Sequence, residues 1–240
     1  MTLSPSPAVR RFAPDGPPAG PPVLLLHGFA SDGATDWVST GWPAALTASG
    51  RPVLVPDLPG HGSSPAPVDA TPKALVEELA LALGEVSEVD IVGYSLGARL
   101  AWELPARLPV RRLVLGGLSP HEPFGAVDVE AALAFAGGGK LPADPLTAAI
   151  ARMITAPGRD PVALARCIEG LRSEPFAPRA GTIEVPTRFV AGRDDPISAG
   201  IEQLVRLVPG SELLTVPGDH GAALRGAPFR IAALTFLDPP

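Results

Sequence analysis

The stretch that decides the fold is "IVGYSLGA", residues 91–98, in which Gly93, Ser95 and Gly97 satisfy the pattern G-x-S-x-G. With 26 glycines and 13 serines in 240 residues, this pattern is expected by chance about 0.15 times. It therefore acquires meaning only from what surrounds it. Ser95 ends an apolar, β-branched run, "VDIVGYS" (89–95), and precedes a stretch with helical periodicity, 96–108. A serine presented as a nucleophile at such a junction sits on a sharp, strained turn, and the positions two residues to either side must be small. Gly93 and Gly97 meet that demand, and Ala98 lets the helix lie close to the sheet.

Working outward, five more runs share this character: "VLLLHG" (23–28), "PVLVPD" (52–57), "VRRLVLGG" (110–117), "TRFVAGRD" (187–194) and "SELLTVPG" (211–218). Short continuous apolar runs read as strands buried on both faces, hence a parallel sheet covered by helices. Helical patterns fall at about 43–49, 72–84, 96–108, 198–208 and 222–237. This β-α alternation predicts an α/β fold with a mostly parallel, doubly wound sheet. Residues 1–22 carry seven prolines, with "AVRRF" (8–12) the one plausible strand there. The alternation lapses between Ser119 and Ile183, where helical pieces near 127–136, 144–156 and 160–172 follow one another. We read 1–118 with 184–240 as the core and 119–183 as a helical cap insertion over the C-terminal edge of the sheet, where ligands bind in such folds. Gly137–Gly139 form a break that would let the first cap helix move over Ser95.

Composition removes several classes of function. A net charge of −6 gives no basic footprint for nucleic acid or an anionic membrane. No apolar run reaches the length of a membrane span, and the N-terminal segment lacks the apolar stretch of a secretory signal. Cys167 is the single cysteine and falls at helical spacing among Leu164, Ile168 and Leu171, where it reads as a small core hydrophobe. No disulfide within the chain is available, and the expected compartment is the cytoplasm. The histidines at 27, 61, 121 and 220 have no metal-ligand spacing, so no metal and no other cofactor is expected. "GGGK" (137–140) is not a phosphate loop: Ala134 stands where that pattern needs glycine, and Leu141 where it needs Ser or Thr. The expected partner is a small acyl compound, bound by a monomer or small homo-oligomer.

A serine needs a positioned base and an acid that orients it. His220, after the last strand, supplies the first, and Asp194 or Asp195, after the preceding strand, the second. The order Ser…Asp…His is the one used on this type of sheet. Glu122, just past a strand end, is an alternative acid. The developing oxyanion needs two donors: the backbone N–H groups of Leu96 and of Phe29, on the loop shaped by His27 and Gly28. Substrate contacts are assigned to Phe29, Trp37, Tyr94, His121, Phe124 and Met153. The scarcity of aromatic residues in the cap implies a modest apolar pocket for acyl chains of about two to eight carbons.

The sequence resembles the α/β-hydrolase superfamily over nearly its whole length, through "HGFASDGATDW" (27–37), "PDLPGHGSS" (56–64), "GYSLG" (93–97), "GRDDPIS" (192–198) and "PGDHG" (217–221). That resemblance implies a sheet of about seven strands, with the superfamily's usual first strand missing. It also implies that Asp57 and His61 are scaffold, and that Asp195, three residues beyond Gly192, is the triad acid. It points to a serine esterase, with thioesterase, lactonase, carbon–carbon hydrolase and perhydrolase as neighbouring chemistries and a non-catalytic ligand receptor as the reading outside catalysis. A serine nucleophile in place of an aspartate argues against dehalogenase or epoxide hydrolase chemistry.

Overall fold

A computed structural model describes residues 6–238; the first five and last two residues, assigned above to the core, lie outside the described residues. Seven strands form one sheet: β1 (Val9–Phe12), β2 (Val23–Leu26), β3 (Val53–Pro56), β4 (Val89–Tyr94), β5 (Val110–Gly116), β6 (Thr187–Gly192) and β7 (Glu212–Val216). The order across the sheet is β1-β3-β2-β4-β5-β6-β7, with only β1 antiparallel.

The apolar runs are explained by a core on each face. In β2 the side chains alternate: Leu24 and Leu26 enter a cluster with β4's Ile91 and β5's Leu113 and Leu115, while Val23 and Leu25 enter another with Val92 and Val114. Helices α2 (Pro72–Leu83) and α3 (Leu96–Glu103) cover the first face; α1 (Trp42–Ala48), α8 (His220–Arg225) and α9 (Ala227–Leu237) close the second. Three helices, α4 (Val129–Ala136), α5 (Pro145–Ile154) and α6 (Pro161–Ser173), lie between β5 and β6 and extend the first core through Ile150, Ile154, Leu164 and Leu171. Each begins on an aspartate, Asp128, Asp144 or Asp160, whose carboxylate accepts a hydrogen bond from an amide of the first turn, satisfying donors that a helix start otherwise leaves open.

Two helical expectations need correction. The pattern at 222–237 is two helices, because Gly226 takes an extended conformation (φ −74°, ψ 141°) and Pro228 opens a new first turn; proline is tolerated there since its missing N–H would be unpaired anyway. Within 198–208 only α7 (Glu202–Val205) is α-helical, flanked by tighter turns. Periodicity also gave no sign of the π-helical turn at Ala34–Val38.

Candidate active site

Ser95 stands between β4 and α3 at φ 54°, ψ −115°, a backbone region that costs a non-glycine residue about 1–3 kcal/mol and persists only where the surroundings impose it. What imposes it is close packing. A methyl group on Gly97 would lie 2.1 Å from the Leu26 carbonyl oxygen, and one on Gly93 would lie 2.5 Å from the Gly97 oxygen. The Ser95 amide donates to the Gly116 carbonyl at 2.8 Å, and the Ser95 carbonyl accepts from the Arg99 amide. The turn is thus fastened both to β5 and to α3.

His220 and Asp195 reach the same edge from the ends of β7 and β6. His220 Nδ1 is 2.8 Å from Asp195 Oδ2. Asp195, whose side chain is fully buried, also accepts from Ser198 Oγ at 2.8 Å and from the Ile197 amide at 2.9 Å. Burial acts to raise its pKa, and the hydrogen bonds from His220, Ser198 and Ile197, with the charge of His220, outweigh it, so the carboxyl is held below its usual range. An ionised Asp195 can only accept, so Nδ1 is the donor of this pair and Nε2 is the ring nitrogen that faces away from the carboxylate. The backbone of His220 is held by the Tyr94 hydroxyl, which donates to its carbonyl at 2.7 Å. Its ring lies against Gly117, where a methyl group would be 3.0 Å from Cε1, and Gly117 lines the same cavity as Ser95.

The loop after β2 passes beside Ser95: a methyl group on Gly28 would be 3.5 Å from Ser95 Cβ. Asp36, on the π-helical turn, pins this loop by accepting from the Gly28 amide at 3.0 Å and from Ser31 Oγ at 2.5 Å. Nothing in the sequence pattern singled Asp36 out; its place within "HGFASDGATDW" was the available signal. The Phe29 amide has no acceptor among the described residues, and neither has that of Leu96, the first residue of α3. His27 is fully buried, accepting from the Leu58 amide on Nε2 and meeting the Gly28 carbonyl through Nδ1; burial holds its pKa below the usual imidazole value. His61 is likewise buried, and burial together with neighbouring His27 pushes it down to about 3. Asp57 accepts from Arg10, Gly33 and Ser63 and organises the loop after β3.

Not every residue singled out in the sequence arrives at the cavity. Phe124 and His121 line it, and Phe29 stacks on Phe124 at 4.8 Å between ring centroids. Trp37 is instead fully buried on the opposite face, edge-on to Trp42, because the π-helical turn directs it away from the loop. Tyr94, preceding Ser95 in an alternating strand, also points to that opposite face and serves His220. Met153 lies on the outer side of α5 with 42% of its surface exposed. Asp194 is exposed, and Asp219 caps α8. Glu122 is engaged by Arg99 and the Phe124 amide, so its carboxylate is committed away from His220. Cys167 is buried and its thiol pushed up to about 12 by that burial. Among the described residues no group of three or more His, Cys, Asp or Glu side chains is placed to hold a metal ion.

The sequence profile of the Alpha/beta hydrolase family matches residues 23–234, and the chain belongs to that family. Among curated proteins, it is similar to the 2-hydroxymuconate semialdehyde hydrolase of Pseudomonas sp. strain CF600, at 36% identity over 105 residues, covering 41% of this chain and 37% of that protein. It is also similar to an epoxide hydrolase of Caballeronia sordidicola, at 34% over 106 residues, covering 42% of this chain and 31% of that protein. The matched stretch therefore spans about a third of these relatives' length. Among solved structures, the enol-lactonase from Burkholderia xenovorans LB400 superposes with a TM-score of 0.76 at 22% identity, covering 96% of this chain and 95% of that one. An esterase from Exiguobacterium antarcticum gives 0.72 at 18% identity, covering 95% and 94%. At these identities the likeness is one of fold.

Proposed function

We propose that the chain is a serine hydrolase that cleaves a small carboxylic ester or a related acyl compound, with residues 119–183 as its cap. The observation that carries this reading is the coincidence, at one sheet edge, of a strained Ser95, a His220–Asp195 hydrogen bond and two backbone N–H groups without acceptors among the described residues.

In this reading Ser95 Oγ attacks the acyl carbonyl while His220 Nε2 takes its proton. Asp195 holds the imidazole in the required tautomer and stabilises the imidazolium that forms. The negative charge that develops on the carbonyl oxygen is received by the amides of Phe29 and Leu96. Asp36 keeps the first of these in place through Gly28. The imidazolium then returns its proton to the departing alcohol. Water, deprotonated by His220, attacks the acyl-enzyme and releases the acid, restoring Ser95. Every proton in this cycle moves between Ser95, His220, leaving group and water.

The similarity to 2-hydroxymuconate semialdehyde hydrolase favours, as a second reading, cleavage of a carbon–carbon bond beside a carbonyl by the same constellation. Both readings are separated from ligand holding without turnover by one assay. Chromogenic acetate and butyrate esters should be hydrolysed by the wild type, and Ser95→Ala should lose at least about 10³-fold of kcat. Equal turnover by both proteins would remove Ser95 from the chemistry.

A further inference from the structure

The cavity that Ser95 and Gly117 line holds only about 30 Å³, room for very few atoms where a single water takes about 10–15 Å³ on the same measure. Next to it lies a cleft of about 310 Å³ between α2, the C-terminal half of α3 and the segment that leaves α6. The two share two wall residues, Arg99 and Phe176. We propose that this cleft is the distal subsite for an aliphatic acyl chain of the substrate, and that Phe176 is the partition that decides how long a chain the site admits. The inference rests on the hydrolase reading above and adds to it the substrate's shape.

Of the two shared residues only one is free to move. Arg99 is buried and held at four points: the Glu122 carboxylate, the Leu171 carbonyl (3.1 Å), the Glu174 carbonyl (2.8 Å) and, through its own amide, Ser95. Phe176 lies on an irregular segment between α6 and β6, is only half-buried, and meets Trp102 edge-on at 5.6 Å and the Arg99 guanidinium at 5.9 Å. Turning its ring breaks no hydrogen bond. Beyond it the cleft offers an apolar floor, buried Pro72 and Val76, with exposed Ala106 and the charged groups Lys73, Glu103, Arg107 and Glu174 at the rim. That gradient suits a methylene chain whose far end reaches water, and does not single out one charge at that end.

The test is the chain-length profile of p-nitrophenyl esters from acetate to dodecanoate, measured for wild type, Phe176→Ala and the double variant that adds Ala106→Phe. Each methylene that finds the cleft is worth about fourfold, so the octanoate-to-acetate ratio of kcat/KM should rise at least about tenfold in Phe176→Ala. It should fall back in the double variant, where the bulk added by Ala106→Phe at the exposed rim narrows the cleft. Phe176→Leu, which keeps an apolar side chain against Trp102, should show the same shift in smaller measure. A second readout needs no turnover: 8-bromooctanoate should quench tryptophan fluorescence more in Phe176→Ala than in wild type, and less again in the double variant. If no ester is cleaved yet quenching follows this order, the hydrolase reading fails and the subsite stands. If esters are cleaved while the ratio moves less than about twofold, or stays high with the cleft narrowed, the subsite is refuted and the hydrolase reading survives.

Discussion

The carboxylate hydrogen-bonded to His220 is that of Asp195, held by three hydrogen bonds in a buried position, while Asp194 beside it is exposed. Asp195→Asn keeps the shape but lets the imidazole adopt the wrong tautomer, so kcat should fall by up to about four orders of magnitude; Asp194→Asn should stay within about threefold of wild type, since an exposed side chain contributes little. Activity profiles of the two variants check this directly. The lowered pKa of Asp195 also fixes a sign. A carboxyl whose folded value is depressed adds stability in full above its unfolded value, about 3.9, and that contribution is lost as pH falls through the lower folded value. The stability gap between wild type and Asp195→Asn, followed by urea unfolding, should therefore narrow from about pH 6 to about pH 3. Gly97 supplies a structural counterpart. A methyl group there meets the Leu26 backbone at 2.1 Å, and overpacking of this kind costs about 3 kcal/mol, so Gly97→Ala should lower stability and activity together. The serine, its glycines and the histidine were all legible in the sequence because each obeys a local rule of the turn. Asp36 was not, since it acts by reaching back eight residues across a loop whose path no local rule sets.

Among the elements, β2 to β6 are visible as apolar runs because both faces of the sheet are buried there, whereas the edge strands β1 and β7 are partly exposed and carry a weaker signal. The three helices between β5 and β6 are visible because each has one apolar stripe and a defined start. Asp144 and Asp160 are each followed by proline at the first helical position, which sets φ before folding. Replacing either aspartate by alanine should cost about 1 kcal/mol, measurable as a shift in the urea midpoint. What the pattern hid were breaks: Gly226 splits one apolar periodicity into α8 and α9. The placement of Trp37 was hidden for a related reason. A π-helical turn rotates its side chains away from the α-helical period, and the residue enters the far core. Exposure along 137–144, between α4 and α5, contrasts with the fully buried β4. Amides of that linker should exchange at least about 100-fold faster than those of 89–94, and equal protection would argue against an α4 able to move.

Over the whole molecule, the most connected network of buried charge among the described residues lies at the end of the sheet away from Ser95. Asp90, fully buried at the start of β4, accepts hydrogen bonds from Arg51 and, through both oxygens, from Arg111. Arg51 in turn reaches Asp238 after α9, so the network joins the C-terminal helix to the middle of the chain. Leaving two arginines without their buried partner should be strongly destabilising: Asp90→Ala is expected to cost about 3–5 kcal/mol, a fall of roughly 10 °C or more in Tm for a chain of this size. Ser95 and its neighbours lie beyond that network's reach, so the variant's activity at low temperature should follow its folded fraction. Whether Ser95 is a nucleophile activated by His220 can be read by intact-mass and peptide mass spectrometry after treatment with a fluorophosphonate. One adduct per chain is expected, carried by the peptide containing Ser95, formed at least about 10³-fold more slowly in His220→Ala and absent in Ser95→Ala. An adduct that persists in Ser95→Ala, or forms as fast without His220, would contradict that role.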